Sequence, residues 1–220
     1  MSEKAEKALR FYLLAAQLKD RIRSGWDDEH WNISKERRES IAEHIYGACI
    51  LAIAIDSEYK TDVNIEKVIM MLVLHELGEV EIGDITPYDG ISLAEKTKIE
   101  QAAIERMLKG LVKEKEYCDL LLEFNERKTK EAVFAYHCDK LEANIQAKIY
   151  QDAGHQHPLD DQEGNVVIKD KHVQQMIKEG AETVFDIWYG ATKSLFEDDD
   201  NFADLLDCLK ETNTRTIDSR

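Results

Sequence analysis

The stretch N-I-E-K-V-I-M-M-L-V-L-H-E-L-G-E-V, residues 64–80, decides the fold class of this chain. Its middle is apolar on every side, so the periodicity alone fits either a buried helix or a buried strand. The length of the stretch and its I-E-K start favour a helix, which the side chain of Asn64 can cap. We therefore predict a buried helix from Ile65 to about Val80.

A second stretch of the same kind, S-I-A-E-H-I-Y-G-A-C-I-L-A-I-A-I-D-S, occupies residues 40–57. It starts with a capping box, Ser40 and Glu43, and is apolar almost all round. A helix without a polar face usually lies in the middle of a domain. Outside these two stretches, apolar spacing and a second capping box at 92–95 predict helical segments over 3–22, 92–111, 114–125 and 130–152, with 172–196 closing the core.

The whole pattern indicates an all-α protein. The chain has only two prolines and ten glycines in 220 residues, so long helices can run without interruption. We predict a single helical domain of six to nine helices over residues 1–196. Residues 197–220 are predicted to form an acidic tail with one short amphipathic helix.

The net charge of −16 restricts the possible partners. Such an acidic surface repels a phosphate backbone, which excludes a nucleic-acid polymer but not a small phosphorylated substrate beside a divalent cation. The N-terminus is charged rather than apolar, and no run of about 18 apolar residues suggests a membrane span. We therefore expect no association with a membrane. The four cysteines are widely spaced, which predicts reduced thiols and hence a cytoplasmic location.

Four polar residues interrupt the apolar helices: His44, His75, Glu76 and Asp139. A titratable group inside a buried helix costs several kcal/mol unless something pairs with it. Taken singly, His44 fits a hydrogen-bonded core histidine and Asp139 fits a surface charge. Taken together, the four predict a metal site with mixed nitrogen and oxygen ligands, suited to manganese, iron, cobalt or zinc and less to magnesium.

The segment His75-Glu76-Leu-Gly-Glu79 differs by one residue from the zincin signature H-E-x-x-H. Its fifth position is Glu79 instead of histidine, so the zincin site lacks a ligand. Glu79 lies on the same predicted helix face as His75, and Asp84 follows after a turn at Gly83. A carboxylate beside an activated water can take its proton. The alternatives are a helix-end charge for Glu79 and a turn residue for Asp84.

The chain resembles the HD-domain metal-dependent phosphohydrolases, and within them the YfbR-like 5′-deoxynucleotidases. The resemblance covers roughly residues 5–152 and rests on four stretches: R-S-G-W at 23–26, E-S-I-A-E-H at 39–44, L-H-E-L-G-E-V-E-I-G-D-I-T-P at 74–87 and C-D-K-L-E at 138–142. It implies a metal-dependent phosphohydrolase, most readily one that removes the 5′-phosphate of (deoxy)nucleoside monophosphates, and a homodimer.

The resemblance also implies a role for each site residue. The implied metal ligands are His44, His75, Glu76 and Asp139. Glu79 is implied to activate the attacking water, and Asp84 to assist at the leaving-group side.

Two further residues of the resemblance concern the substrate. Arg23 is implied to lie at the substrate phosphate and Trp26 at the sugar. For Trp26 the alternative is a residue that anchors its loop.

This chain departs from the family pattern at Glu76, where the family has aspartate. Glutamate is one methylene longer but still offers a carboxylate to a metal, so we expect binding to be retained. The alternatives to a monophosphatase are an HD-type hydrolase of a triphosphate, cyclic dinucleotide or alarmone, and a metal-free binding or scaffold protein.

Overall fold

A computed structural model describes residues 2–26, 30–85, 90–162 and 165–216. Thr86 and Pro87, which belong to the third stretch of the resemblance, lie outside these ranges. The α-helices are α1 Glu3–Ala15, α2 Ile41–Tyr59, α3 Ile65–Leu74, α4 Glu79–Ile82, α5 Leu93–Leu108, α6 Glu114–Glu126, α7 Lys130–Asp152, α8 Lys171–Lys178, α9 Val184–Lys193 and α10 Asp200–Glu211. The all-α prediction is confirmed. None of the helices within the described ranges has the length and apolar character needed to cross a bilayer.

The chain divides into two compact units. The first contains Met1–Gly25 and Glu39–Asp139, and the second contains Trp26–Arg38 and Lys140–Arg220. The first unit has a continuous apolar core that α1 to α6 surround. Its buried residues are Leu18, Ile41, Leu74, Leu77, Val80, Ile104, Met107, Leu108 and Leu121.

Helix α2 begins at the predicted capping box. Ser40 Oγ accepts the amide of Glu43 at 3.3 Å, and Glu43 Oε2 accepts the amide of Ser40 at 2.7 Å. The prediction that α2 is buried on all sides is wrong. One face enters the core, whereas Tyr46, Ile50 and Ile53 are exposed, Tyr46 by 70%. The uniform apolar pattern therefore reflects a buried face and an exposed apolar face.

Helix α3 ends at Leu74, before the predicted end at Val80. The chain then continues through a turn over residues 75–78 into the single helical turn α4. Amide bonds to the third preceding carbonyl replace the α pattern here, with Leu77 N to Leu74 O at 3.1 Å and Glu79 N to Glu76 O at 3.0 Å. His75 and Glu76 therefore lie just beyond the helix instead of on it.

In the second unit, the segment 172–196 that was predicted to close the core is interrupted by a turn. Two helices, α8 and α9, occupy this segment because Gly180 adopts a φ of 109° and Thr183 starts a new capping box with Asp186. The helix predicted in the acidic tail is confirmed as α10, whose Phe202, Leu206 and Leu209 are buried.

Candidate metal centre

Four side chains of the first unit converge on one point. His44 comes from the first turn of α2 and is fully buried, and Asp139 comes from α7. His75 and Glu76 come from the turn after α3. One ligand atom from each residue lies within 4.8 Å of all the others. The structure thus brings together all four predicted metal ligands.

The distances between the donor atoms fit one shared ion. His44 Nε2 lies 2.9 Å from Asp139 Oδ1 and 3.9 Å from Glu76 Oε1. His75 Nε2 lies 3.3 Å from Glu76 Oε1 and 3.7 Å from Asp139 Oδ1. Ligand atoms about 2.0–2.2 Å from a common ion have mutual distances of this size. The additional methylene of Glu76 does not take its carboxylate out of the cluster.

The tautomer of His75 is set by the backbone. Its Nδ1 lies 2.7 Å from the carbonyl of Leu72, to which it donates a hydrogen bond. Nε2 then faces the carboxylates, where it can carry a proton or, as in metal-binding histidines, bind an ion. This buried nitrogen has no hydrogen-bond partner among the residues that the structure describes. A buried nitrogen of this kind, facing two carboxylates, fits a divalent cation.

The charges at the centre are strongly coupled. Burial would lower the pKa of His75, but the carboxylates of Glu76 and Asp139 raise it to about 10. Burial opposes the ionisation of Glu76, yet His75 and Arg23 hold the pKa of this carboxyl well below its ordinary value. In the absence of metal, a proton on His75 balances the negative charge of these carboxylates. A metal ion that replaces this proton would balance the same charge.

Glu79 lies beside the four ligands at the start of α4 and is only 3% exposed. Burial raises its pKa to about 11, and the negative charges of Glu76 and Asp84 contribute to the rise. Its Oε2 has no hydrogen-bond partner within the described part of the chain. Negative charge is in excess at this centre, which is a second reason why the residues fit a cation.

Arg23 and Ser24 approach the centre from the segment before α2. A short antiparallel pairing holds this segment, with Arg23 N donating to Glu39 O at 3.2 Å. Arg23 Nη1 lies 3.2 Å from Glu76 Oε1. Burial disfavours the charge, but Glu76, Asp84 and other carboxylates raise the pKa of Arg23 above its ordinary value. The guanidinium is therefore charged at every physiological pH.

Trp26 belongs to the second unit and lies in an aromatic cluster. Its ring stacks on Trp188 at 5.1 Å between centroids and meets Trp31 and Tyr150 edge to face. Only 1% of the residue is exposed. This packing agrees with the alternative in which Trp26 anchors its loop, and its role at the sugar stays a prediction.

Three polar residues near the centre were not predicted: Ser24, Lys96 and Glu100. Ser24 N donates to Asp84 Oδ2 at 2.8 Å, and Ser24 Oγ donates to the Asp84 carbonyl at 2.7 Å. Lys96 donates to the carbonyl of Ile85 at 2.6 Å and lies 3.5 Å from Glu100. The only signals in the sequence were the place of Ser24 in the R-S-G-W stretch and the i,i+4 spacing of Lys96 and Glu100.

Comparisons with known proteins agree with this geometry. The HD domain family matches residues 15–181. The 5′-deoxynucleotidase HDDC2 of Dictyostelium discoideum is 34% identical over 67% of this chain and 80% of its own length. The protein of the same name from Homo sapiens is 30% identical over 69% of this chain and 72% of its own length. Among solved structures, the PH0347 protein from Pyrococcus horikoshii OT3 has a TM-score of 0.64 at 21% identity, over 91% of this chain and 97% of that one, and shares the fold.

Proposed function

This chain belongs to the HD-domain family, and on that premise we propose that it removes the 5′-phosphate of (deoxy)nucleoside monophosphates. It is a metal-dependent phosphohydrolase, a phosphoric monoester hydrolase. The observation that best supports the proposal is the convergence of two imidazoles and two carboxylates, with the buried carboxyl of Glu79 beside them. A small anionic substrate is compatible with the acidic surface because a divalent cation held by these residues would bring positive charge to this one site.

His44, His75, Glu76 and Asp139 would hold the ion. Because two of the donors are imidazole nitrogens, we propose manganese, cobalt, iron or zinc in preference to magnesium. A bound divalent ion supplies Lewis-acid polarisation of a phosphate oxygen and of water, and its charge favours the ionised form of Glu79.

The other residues of the centre then divide the chemistry. Glu79 accepts the proton of the attacking water, because an ionised carboxylate close to the ligands is the nearest base. Asp84, fixed by two hydrogen bonds from Ser24, orients or protonates the leaving 5′-oxygen. Arg23 binds the phosphate: one N–H group faces Glu76, and a guanidinium has five N–H donors in all.

Trp26 is proposed to limit the space beside the sugar at the 2′ position. Its neighbours Trp31, Tyr150 and Trp188 would keep the indole in one orientation. A rigid ring discriminates against an additional hydroxyl by packing alone, which gives a preference for deoxyribonucleotides of about tenfold to 100-fold.

The test is a phosphate-release screen over deoxy- and ribonucleoside monophosphates, triphosphates and cyclic dinucleotides, with several divalent metals. We expect the monophosphates to be cleaved with manganese or cobalt, and a chelator to stop the reaction. Glu79→Ala should retain the metal, measured by elemental analysis, and lose at least about 100-fold in kcat. Wild-type turnover in Glu79→Ala would show that Glu79 is not the base. A protein that binds no divalent ion would instead be the metal-free scaffold.

We also propose a homodimer, a cytoplasmic location and a catalytic domain over residues 1–196. The dimer is supported by the exposed apolar faces of α2 and α3, which include Ile50 and Val73. The location is supported by the four cysteines, none of which forms a disulfide in the residues that the structure describes.

A further inference from the structure

Lys96 holds the backbone next to Asp84. The residue lies in the first turn of α5, which is fixed by the capping box of Ser92 and Glu95. From there its ammonium reaches back to the carbonyl of Ile85 and donates a hydrogen bond at 2.6 Å. A charge-assisted bond to a carbonyl is stronger than a neutral one, so this contact ties the segment that follows Asp84 to the helix.

The segment around Asp84 is held from the other side as well. Ser24 fixes both the carboxylate and the carbonyl of Asp84. Gly83 before it has a φ of 75°, a conformation that only glycine adopts readily, and its amide donates to Glu79 O at 3.0 Å. Among the described residues, these contacts hold the N-terminal side of the segment, and Lys96 holds its C-terminal side through the carbonyl of Ile85.

Glu100 completes the arrangement one helical turn further along α5. Its Oε1 lies 3.5 Å from Lys96 Nζ, and both side chains are mostly buried. Burial raises the pKa of Glu100, Lys96 opposes that rise, and the charge of Glu76 adds to it. Lys96 is thus partly desolvated, and the carboxylate of Glu100 lies beside its ammonium group.

We propose that Lys96 is a positioning residue that acts through Asp84, an inference that rests on the proposed function. By holding the carbonyl of Ile85, it keeps the Asp84 carboxylate where the leaving oxygen departs. A displacement of about 1 Å in a reacting group can cost up to about 100-fold in rate, so one backbone contact is sufficient to matter. Because phosphate binding is proposed for Arg23 and not for Asp84, we expect kcat to be more sensitive than KM.

The first test compares Lys96→Met with Lys96→Arg and Lys96→Gln in the full-length, metal-loaded protein. Lys96→Met should lower kcat for phosphate release from a deoxynucleoside monophosphate by about tenfold and change KM by less than about threefold. Lys96→Arg keeps the charged donor and should recover most of kcat. Lys98→Met, the same change at an exposed position of the same helix, should behave as wild type. Wild-type kcat in both Lys96→Met and Lys96→Gln would overturn the proposal.

A double-mutant cycle separates positioning of Asp84 from a general loss of structure. In an Asp84→Asn background, Lys96→Met should have almost no further effect on kcat, because residues that act through one another are not additive. A full tenfold loss in that background would show that Lys96 acts independently of Asp84.

Hydrogen–deuterium exchange supplies a measurement without turnover. In both metal-free and metal-loaded protein, Lys96→Met should raise exchange at least about threefold in peptides that contain Gly83–Ile85, and Lys98→Met should not. Unchanged exchange in Lys96→Met would overturn the role of Lys96. If the wild-type protein releases phosphate from no nucleotide, the proposed function fails. The exchange measurement then still tests whether Lys96 holds the backbone next to Asp84.

Discussion

At Glu79, burial and two neighbouring negative charges act on the same proton. They raise the pKa of this carboxyl from 4.5 to about 11 in the protein without metal. Between these values the folded protein holds a proton that the unfolded chain releases. Stability must therefore decrease as the pH rises through this window, by at most about 1.4 kcal/mol per pH unit for one proton.

Glu79→Gln should remove this pH dependence, since the amide cannot ionise but keeps nearly the same shape. In protein stripped of metal by a chelator, we expect the variant to gain in Tm over the wild type steadily from pH 5 to pH 9. His75, whose pKa is also raised, contributes a decrease above about pH 6.5 to both proteins and cancels in the comparison. Thermal unfolding at several pH values measures the difference. Parallel curves for the two proteins would contradict the proposed state of Glu79.

Residues at the site could be predicted from the sequence where burying a polar side chain without a partner would cost free energy of folding. His44 stands in an apolar helix, where an unpaired polar group costs several kcal/mol, and Asp139 shares a helix face with small apolar residues, so the pattern indicated that they could converge. Ser24 and Lys96 act through hydrogen bonds to the backbone from less buried positions. Such contacts depend on where two distant segments meet, and no periodicity encodes that.

At the level of elements, the turn between α3 and α4 determines the geometry of the centre. It carries His75 and Glu76 and leads directly to Glu79, so its path decides where three of the site residues point. Gly78 lies against α5 there: an added Cβ would be 3.2 Å from the backbone oxygen of Glu100. The close approach of α5 therefore favours glycine at this turn, although Gly78 has an ordinary φ of −59°.

Gly78→Ala should therefore destabilise the protein, by about 1 kcal/mol, because helix α5 must shift. The control is Gly190→Ala in α9, where the added Cβ also meets an atom at 3.2 Å, in this case the flexible Met176 side chain. There we expect no loss, or a gain of up to about 1 kcal/mol from helix propensity. Chemical unfolding of the metal-free proteins measures both. Equal effects of the two substitutions would show that the contact with α5 does not limit residue 78.

Helix starts were predictable and one important helix end was not. The capping boxes at Ser40 and Ser92 are local sequence signals, and both helices begin where these signals place them. The end of α3 depends on His75, whose ring takes the carbonyl of Leu72 that would otherwise continue the helical bonding. That competition between a side chain and the backbone is invisible in a hydrophobic pattern that continues to Val80.

At the scale of the whole molecule, exposed apolar residues of α2 and α3 support the proposed dimer. Helix α2 exposes Tyr46, Ile50 and Ile53, and α3 exposes Met70 and Val73. Exposed apolar residues grouped on neighbouring helices often belong to an interface in a protein whose other surface is charged. With a net charge of −16, two copies repel each other at long range, so an apolar contact is the favourable way for them to associate.

Ile50→Glu should convert the proposed dimer to a monomer. The substitution places a charge in the apolar face of α2, and leaving that charge desolvated between two copies costs several kcal/mol, enough to weaken association by about 100-fold or more. Light scattering coupled to size-exclusion chromatography measures the mass. Val112→Glu adds the same charge at an apolar residue that is almost fully exposed outside these helices, and should remain dimeric. A monomeric wild type, or a dimeric Ile50→Glu, would mean that α2 does not form the interface.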